Sequence, residues 1–461
     1  MPRSAYLVHS LSSTTIRSLN YAPATEVFRR VGSGETIRLG DLVARMGPAY
    51  GSVFVRYDCE PEHGVELLPQ ADMFAAEPMG RWIRPDALPR LRDQYIRPWQ
   101  ILIAGAGTLG DTELYGRSLI ADARLAGKIV GPDSMTLTCH EPGADLALYA
   151  YAFLCTDLGV QIVRATSFGT KILRLRKDLL AAIPIPLAGT EKIQRVADHV
   201  RTVVAERERY WQELQRARAV VEALPEMQEA TAMCRERSRR CVVWDGSLPT
   251  LTAWTYGSAG EALGFLQRRW SARLGDVVDS NGIFRGPRFA RVSCQPPHGI
   301  DFLSQRDVFL MRPVPRRIMR PDLDHGQLFC KRNMLLVGGQ GTLGEGEVFG
   351  RVALMGPDLD HSAFSEHILR ISVDTSAFEL AYSFLSTLVG FRLLRATAVG
   401  TKLLSMRPDL LRQLPFPDEA DLVERCGVHV LAAIDARVAA KQAEEEAVRI
   451  LEHEVFPEWL S

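Results

Sequence analysis

The sequence predicts an α+β protein made of two copies of one domain, each followed by a long helix, the two helices pairing as an antiparallel coiled coil. Three observations predict it. First, residues 159–186, "GVQIVRATSFGTKILRLRKDLLAAIPIP", and 390–417, "GFRLLRATAVGTKLLSMRPDLLRQLPFP", share 14 of 28 positions without a gap, far beyond chance. Second, an apolar, strand-like run enters a glycine motif twice, in "ILIAGAGTLGD" and "LLVGGQGTLGE". Third, each copy ends in a proline pair followed by a long amphipathic segment.

The elements follow in order. "RLGDLV" from Arg38 returns as "RLGDVV" from Arg273, Tyr115-Gly116-Arg117 as Phe349-Gly350-Arg351, and Tyr151, Phe153, Leu154 and Thr156 as Tyr382, Phe384, Leu385 and Thr387. A period of about 231–235 residues is a whole-domain duplication, since solenoid repeats run to 20–50 residues. The domain limits read as 1–188, 189–226 (first helix), 227–418 and 419–461 (second helix). In the first helix Thr190 is a candidate N-cap. Heptad positions fall at Ile193, Val196, Val200, Val203, Arg207, Tyr210, Leu214, Ala217, Val221 and Leu224, with Arg207 the one charged exception. The second segment, rich in alanine, carries its stripe through Val430, Ile434 and Val438, then Val448, Leu451 and Val455. Each helix spans about 50 Å at 1.5 Å per residue. One such helix cannot bury its stripe alone, and two in one chain can bury theirs against each other.

The glycine motifs match G-x-G-x-x-G, the pattern of a dinucleotide-binding turn. That reading needs a helix after the glycines. After Gly344 the chain continues "EGEVFGRVALMGPDLD", whose Gly346, Gly350, Gly356 and Pro357 forbid a regular helix. Two copies share one fold, so both stretches read as strand, glycine turn, strand. The glycines are expected to supply positive φ, or to let backbone N–H groups approach a phosphate.

The apolar fraction of 46% is that of an ordinary globular protein, and 461 residues hold more than one domain. No apolar run approaches a membrane span, and the start lacks the core of a secretory signal. The eight cysteines form no C-x-x-C and read as reduced thiols of a cytoplasmic protein. Net charge is zero, which argues against a simple polyanion coat. Of 55 basic residues only 7 are lysine. Arginine makes bidentate contacts to phosphate and guanine. No N/D-P-P-Y/F methyltransferase motif, no D/E-x-K nuclease half-motif, no phosphate-binding G-x-x-x-x-G-K-[ST] and no metal-ligand spacing occurs.

The paired "WQILIAGAGTLG" and "LLVGGQGTLG", the later "GTK", and "LAAIPIP" and "LRQLPFP" running into long helices resemble the specificity subunits of type I restriction–modification systems. The resemblance covers almost the whole chain. It implies two target-recognition domains, each reading one half of a bipartite double-stranded DNA site. The helices then pair, fix the spacer and dock two DNA adenine methyltransferase subunits. S-adenosylmethionine sits on those partners, this chain has no cofactor, metal or catalysis of its own, and a restriction or translocase subunit can join the complex. The competing readings are a duplicated protein-interaction scaffold without DNA binding and an enzyme with two nucleotide sites.

On this resemblance, residues shared by the copies meet phosphate and residues that differ read bases. The shared candidates are Lys171 and Lys402 with Thr170 and Thr401 in "GTK", Arg164 and Arg395 in "RAT", and Thr108 and Thr342 in the glycine turns. The differing candidates are Arg84 and Arg92 in the first copy, interleaved with Trp82, Tyr95 and Trp99, and Arg285, Arg288, Arg316 and Arg317 in the second.

Overall fold

The computed structural model describes residues 18–21, 35–47, 56–87, 94–236, 250, 252–295, 297–417 and 419–460. Arg92 lies outside these residues. The chain divides into two compact units, Met1–Glu208 with Ala439–Ser461, and Arg209–Val438. Both limits fall inside the long helices, whereas the repeat alone places domain ends at the helix starts.

In unit 1 an antiparallel sheet runs β1 (Val43–Met46), β8 (Ser134–Cys139), β4 (Ile101–Ala104), β6 (Ser118–Ile120). A smaller sheet joins β3 (Arg81–Ile83), β2 (Val65–Leu68) and β7 (Ile129–Val130). A third joins β9 (Ser167–Phe168), β10 (Leu173–Leu175) and β5 (Ala106–Gly107). Ile101–Ala104 is buried on both faces, which explains its unbroken apolar run. It packs with α1 (Asp145–Cys155), whose Leu148, Tyr149, Phe153 and Leu154 are buried in the same core. Each such side chain contributes about 1.5–3 kcal/mol of burial.

The repeated "T-x-x-G" has a local cause. The Thr156 hydroxyl caps α2 (Asp157–Ala165) by accepting from Gly159 N at 2.9 Å. A Cβ on Gly159 would stand 2.0 Å from the Phe153 carbonyl, so only glycine lets α2 turn so tightly off α1.

The first long helix, α3 (Thr190–Glu222), and the second share both units. In unit 1 its Val196, Val200 and Val204 lie in one core with Ala447, Ile450 and Leu451 of the second helix. Lys192 meets Glu458, Arg195 meets Glu454 and Arg207 meets Glu444, a descending order that makes the pairing antiparallel. The charged heptad exception is thereby explained. Arg207 donates to Glu444 at 2.8 Å, and the Tyr151 hydroxyl donates to the other Glu444 oxygen, all buried. Burial opposes the Arg207 charge, but Glu444 and Tyr151 outweigh it and hold the guanidinium protonated.

Unit 2 repeats the plan. β11 (Val278–Arg285), β18 (Ile368–Val373), β14 (Met334–Gly338) and β16 (Val352–Leu354) form the large sheet. β13 (Arg316–Ile318), β12 (Ile300–Leu303) and β17 (Ser362–Phe364) form the small one, and β15 (Gln340–Gly341), β20 (Leu404–Met406) and β19 (Ala398–Val399) the third. Thr387 caps α5 (Leu388–Ala396), after α4 (Phe378–Leu385), through Gly390 N at 3.0 Å. The second long helix is α6 (Ala420–Ile450), continued directly by a π-helical turn (Leu451–Val455) and a last α turn (Phe456–Leu460). Glu213 meets His429 at 2.6 Å, and the Cys426 thiol faces the Ala217 carbonyl, so the helices are antiparallel here too.

Val196, Val200, Val203, Leu214 and Val430 are fully buried, as the heptads require. Ile434 and Val438 are half-buried. The seam after Val430 runs instead through Ala433, Ala436 and Ala440. Ile434 packs over Gly356 of its own unit's sheet region, so the helix divides its apolar surface between helix and sheet.

Candidate nucleic-acid interface

No helix follows either glycine turn, which removes the dinucleotide reading. β4 enters Gly105, β5 follows at once, and the chain returns as β6, antiparallel to β4. The expectation of positive φ is corrected. Among the described residues the left-handed glycines are elsewhere, at Gly116, Gly169, Gly350 and Gly400 among others. The motif's second glycine is there for space: a Cβ on Gly107 or Gly341 would sit 2.9 or 2.8 Å from Tyr115 or Phe349.

The third sheet brings two separate motifs together. Gly107 of β5 pairs with Leu173 of β10, and β9 and β10 are joined by the "GTK" hairpin. Thr108 therefore leaves the sheet at the end where Thr170, Lys171 and Ile172 form the hairpin tip. All four are exposed. Gly169, at φ 95°, begins the tip in a conformation that side chains resist. In unit 2, Gly341 pairs with Leu404, Gly400 has φ 122°, and Thr342, Thr401, Lys402 and Leu403 are exposed at the equivalent rim. Neither Lys171 nor Lys402 has an ion-pair partner among the described residues.

Arg164 and Arg395 turn the other way. Arg164 donates to the Tyr115 and Glu113 carbonyls, both at 2.8 Å. Arg395 donates to the Phe349, Leu343 and Gly344 carbonyls at 2.8–2.9 Å. Gly116 and Gly350 make room for them, since a Cβ there would come within 2.7 or 2.9 Å of the arginine Cγ. Burial lowers the pKa of Arg164; burial, reinforced by Arg351, pulls Arg395 down to about 10. The geometry gives both a positioning role: they staple the turn whose threonine stands at the rim.

A second clamp escaped the sequence reading. The Gln70 amide exchanges two hydrogen bonds with the Ala106 backbone, at 2.8 and 3.0 Å. Gln305 does the same to Gln340, at 2.8 and 3.2 Å. The signal was present, because Gln70 and Gln305 are 235 residues apart in "LLPQAD" and "FLSQRD". Three scattered identities in six residues carry no weight until the strands around them are aligned.

The differing arginines scatter. Arg84 is exposed and paired with Asp86. Arg285 is drawn inward, donating to the Gly339 carbonyl at 2.6 Å and to Ser405 at 2.7 Å, and burial lowers its pKa. Arg288 is exposed, 3.5 Å from Glu366. Arg316 donates to the Ser293 hydroxyl at 2.7 Å, and Arg317 to Asp301 at 2.8 Å. Among the described residues no His, Cys, Asp and Glu cluster could hold a metal, and no single helix is long and apolar enough to cross a membrane.

No family model and no curated protein matches the chain. Over 93% of its length it is structurally similar to type I restriction–modification S subunits. The S subunit from M. genitalium aligns at 13% identity and TM-score 0.32 over 96% of that chain. The HsdS subunit from Thermoanaerobacter tengcongensis aligns at 13% and 0.27 over 97% of that chain. A chain from a structure on complex assembly and conformational transition of the type I R-M system aligns at 15% and 0.26, over 93% of this chain and 98% of that one.

Proposed function

We infer that this protein is the sequence-specific DNA-recognition subunit of a type I-like restriction–modification or methylation-associated phage-defence system. It reads a bipartite double-stranded DNA site and docks DNA adenine methyltransferase subunits, which carry S-adenosylmethionine. The chain performs no chemistry itself. One observation carries the reading: each unit presents the same exposed rim of two threonines and a lysine, held from behind by an inward-turned arginine and a glutamine. A rim of hydroxyls and one unpaired ammonium suits a phosphate, the part of DNA that is the same at any sequence. Arg164, Arg395 and Arg285 are positioning residues in this reading. Lys171, Lys402 and the four threonines meet the backbone. The two helices set the spacer and dock the methyltransferases.

The test is the methylation pattern of cells expressing the full chain together with a type I adenine methyltransferase subunit from the same genome. The reading expects methylated adenines in a two-part motif that vanishes when this chain is deleted. Methylation that persists unchanged without it, or a complex that shifts no duplex DNA, would favour a protein-interaction scaffold.

A further inference from the structure

The small sheet of each unit has one face turned to solvent. In unit 1 a bridge pairs Asp58 with Ile83, Arg84 N donates to the Tyr57 carbonyl at 2.9 Å, and Cys59 N to the Trp82 carbonyl at 3.0 Å. Residues 57–59 thus extend the sheet beyond β3. Trp82 also opposes Glu66 of β2. Strand alternation places Tyr57, Cys59, Glu66, Trp82 and Arg84 on one face, and Val65, Leu67 and Ile83 on the buried one. Unit 2 repeats this with Ser293 bridging Ile318, Met319 N donating to Val292, Cys294 N to Arg317, and Arg317 opposing Asp301.

At a constant offset of 235 residues the framework is retained and the corners are not. Ile83 returns as Ile318, Cys59 as Cys294, Glu66 as Asp301, and the edge arginine Arg81, bound to Asp58, as Arg316, bound to Ser293. The corners of this face change class: exposed Tyr57 to exposed Val292, exposed Trp82 to half-buried Arg317, exposed Arg84 to exposed Met319. Exposed large apolar side chains gather here. Outside the long helices and the hairpin tips, those among the described residues are Tyr57, Met79, Trp82, Val292 and Met319, with Tyr57, Val292 and Met319 each more than half exposed. Such side chains on a retained frame mark a binding face.

The change of corners says what binds. A partner protein present twice meets the same surface twice and would keep the corners alike. A ligand whose two instances differ would not. Each face also holds one arginine oriented by a carboxylate, Arg84 by Asp86 and Arg317 by Asp301. Pre-oriented arginine suits guanine, and apolar side chains suit the thymine methyl.

We propose that this face, with Tyr57, Trp82 and Arg84 in unit 1 and Val292, Arg317 and Met319 in unit 2, is the base-reading surface that each unit sets against one DNA half-site. It rests on the DNA-recognition reading above. The test assembles the full chain with a type I adenine methyltransferase subunit from the same genome and selects bound sequences from randomised duplexes. The parent protein must first select a two-part motif; if it selects none, the DNA reading itself fails and this proposal with it. The triple variant Tyr57→Val, Trp82→Arg, Arg84→Met should then alter one half of the motif at one to three positions. Preference there should change about 5- to 150-fold, the range of one good base contact. The other half should stay as it was. An unchanged motif overturns the proposal while leaving the DNA reading intact. Loss of methyltransferase co-purification with an unchanged motif also overturns it, assigning the face to the partner. If the triple variant does not fold, Trp82→Phe and Arg84→Lys decide by the same selection. A relaxed position in one half supports the proposal, and full parental specificity in both variants overturns it.

Discussion

Arg207 and Arg437 stand at the same place counted from the starts of α3 and α6, and both are buried. They are neutralised differently. In unit 1 Arg207 meets Glu444 of the opposite helix and so locks helix to helix. In unit 2 Arg437 meets Asp358 at 2.8 Å and the Leu354 carbonyl at 3.0 Å, locking helix to sheet. The turns differ in a similar way. Arg164 holds two carbonyls within 2.9 Å, whereas Arg395 holds three, and Arg392 adds an ion pair to Glu345 at 2.6 Å that Gln161 cannot form in unit 1. Duplication has kept the charges that must be buried and let their partners drift. A buried guanidinium without a partner costs too much to survive, but any nearby carboxylate will serve.

The largest effects should come from removing those partners. Glu444→Ala should cost about 3–5 kcal/mol by stranding Arg207, and Asp358→Ala a similar amount by stranding Arg437. Urea unfolding gives the totals. Hydrogen exchange separates them, since the first variant should speed exchange in the α3 segment 193–206 and the second in β16. Equal exchange maps for the two variants would erase the distinction between the locks. Val203→Asp, placing an unpaired charge in the seam, should cost several kcal/mol as well.

Next are the turns. Arg395→Ala should cost on the order of 3 kcal/mol and Arg164→Ala about two thirds of that, in proportion to the carbonyls released. Equal losses in thermal unfolding would show that the extra bond in unit 2 contributes nothing.

How far these partners could be foreseen differs by residue. The duplication, the strand–turn–strand at each glycine motif and the valine seam were legible because identity and period repeat over many residues. Arg207 stood out as a charge in an apolar heptad, but Glu444 as its partner was not readable, because the register of two helices is set by packing. Arg164 and Arg395 read as surface cations, since sequence gives the residue and not the direction of its side chain. Only the fold shows the carbonyls converging on them. The small-sheet face was hidden because its positions differ between copies, and a search for repeats discards differences.

Smaller effects concern function at the rim. Lys171→Ala and Lys402→Ala should each weaken binding alike at every sequence and lower the salt slope by roughly one unit. An unchanged slope for both would remove the lysines from the phosphate contact. Smallest is the acid response of the unit 2 turn. Burial tends to raise the Glu345 pKa, but the hydrogen bond and charge of Arg392, with Arg395 and Arg351, outweigh it and hold it below the usual 4.5. A carboxylate lowered in the folded state stabilises fully above 4.5 and loses that contribution as pH falls through the folded value. The side chain is largely exposed, so the gain is about 0.2–1 kcal/mol. Glu345→Gln should therefore reduce stability at pH 7 and converge with the parent near pH 3. A constant difference across that range would contradict the ion pair.

Exchange of one unit tests the central claim most directly. Residues 1–188 are replaced by the matching domain of another protein with the same repeat, and methylated adenines are mapped across the genome. The account predicts that one half of the two-part motif changes while the other half and the spacer stay. A single continuous motif, or both halves changing together after one exchange, would contradict independent reading by the two units.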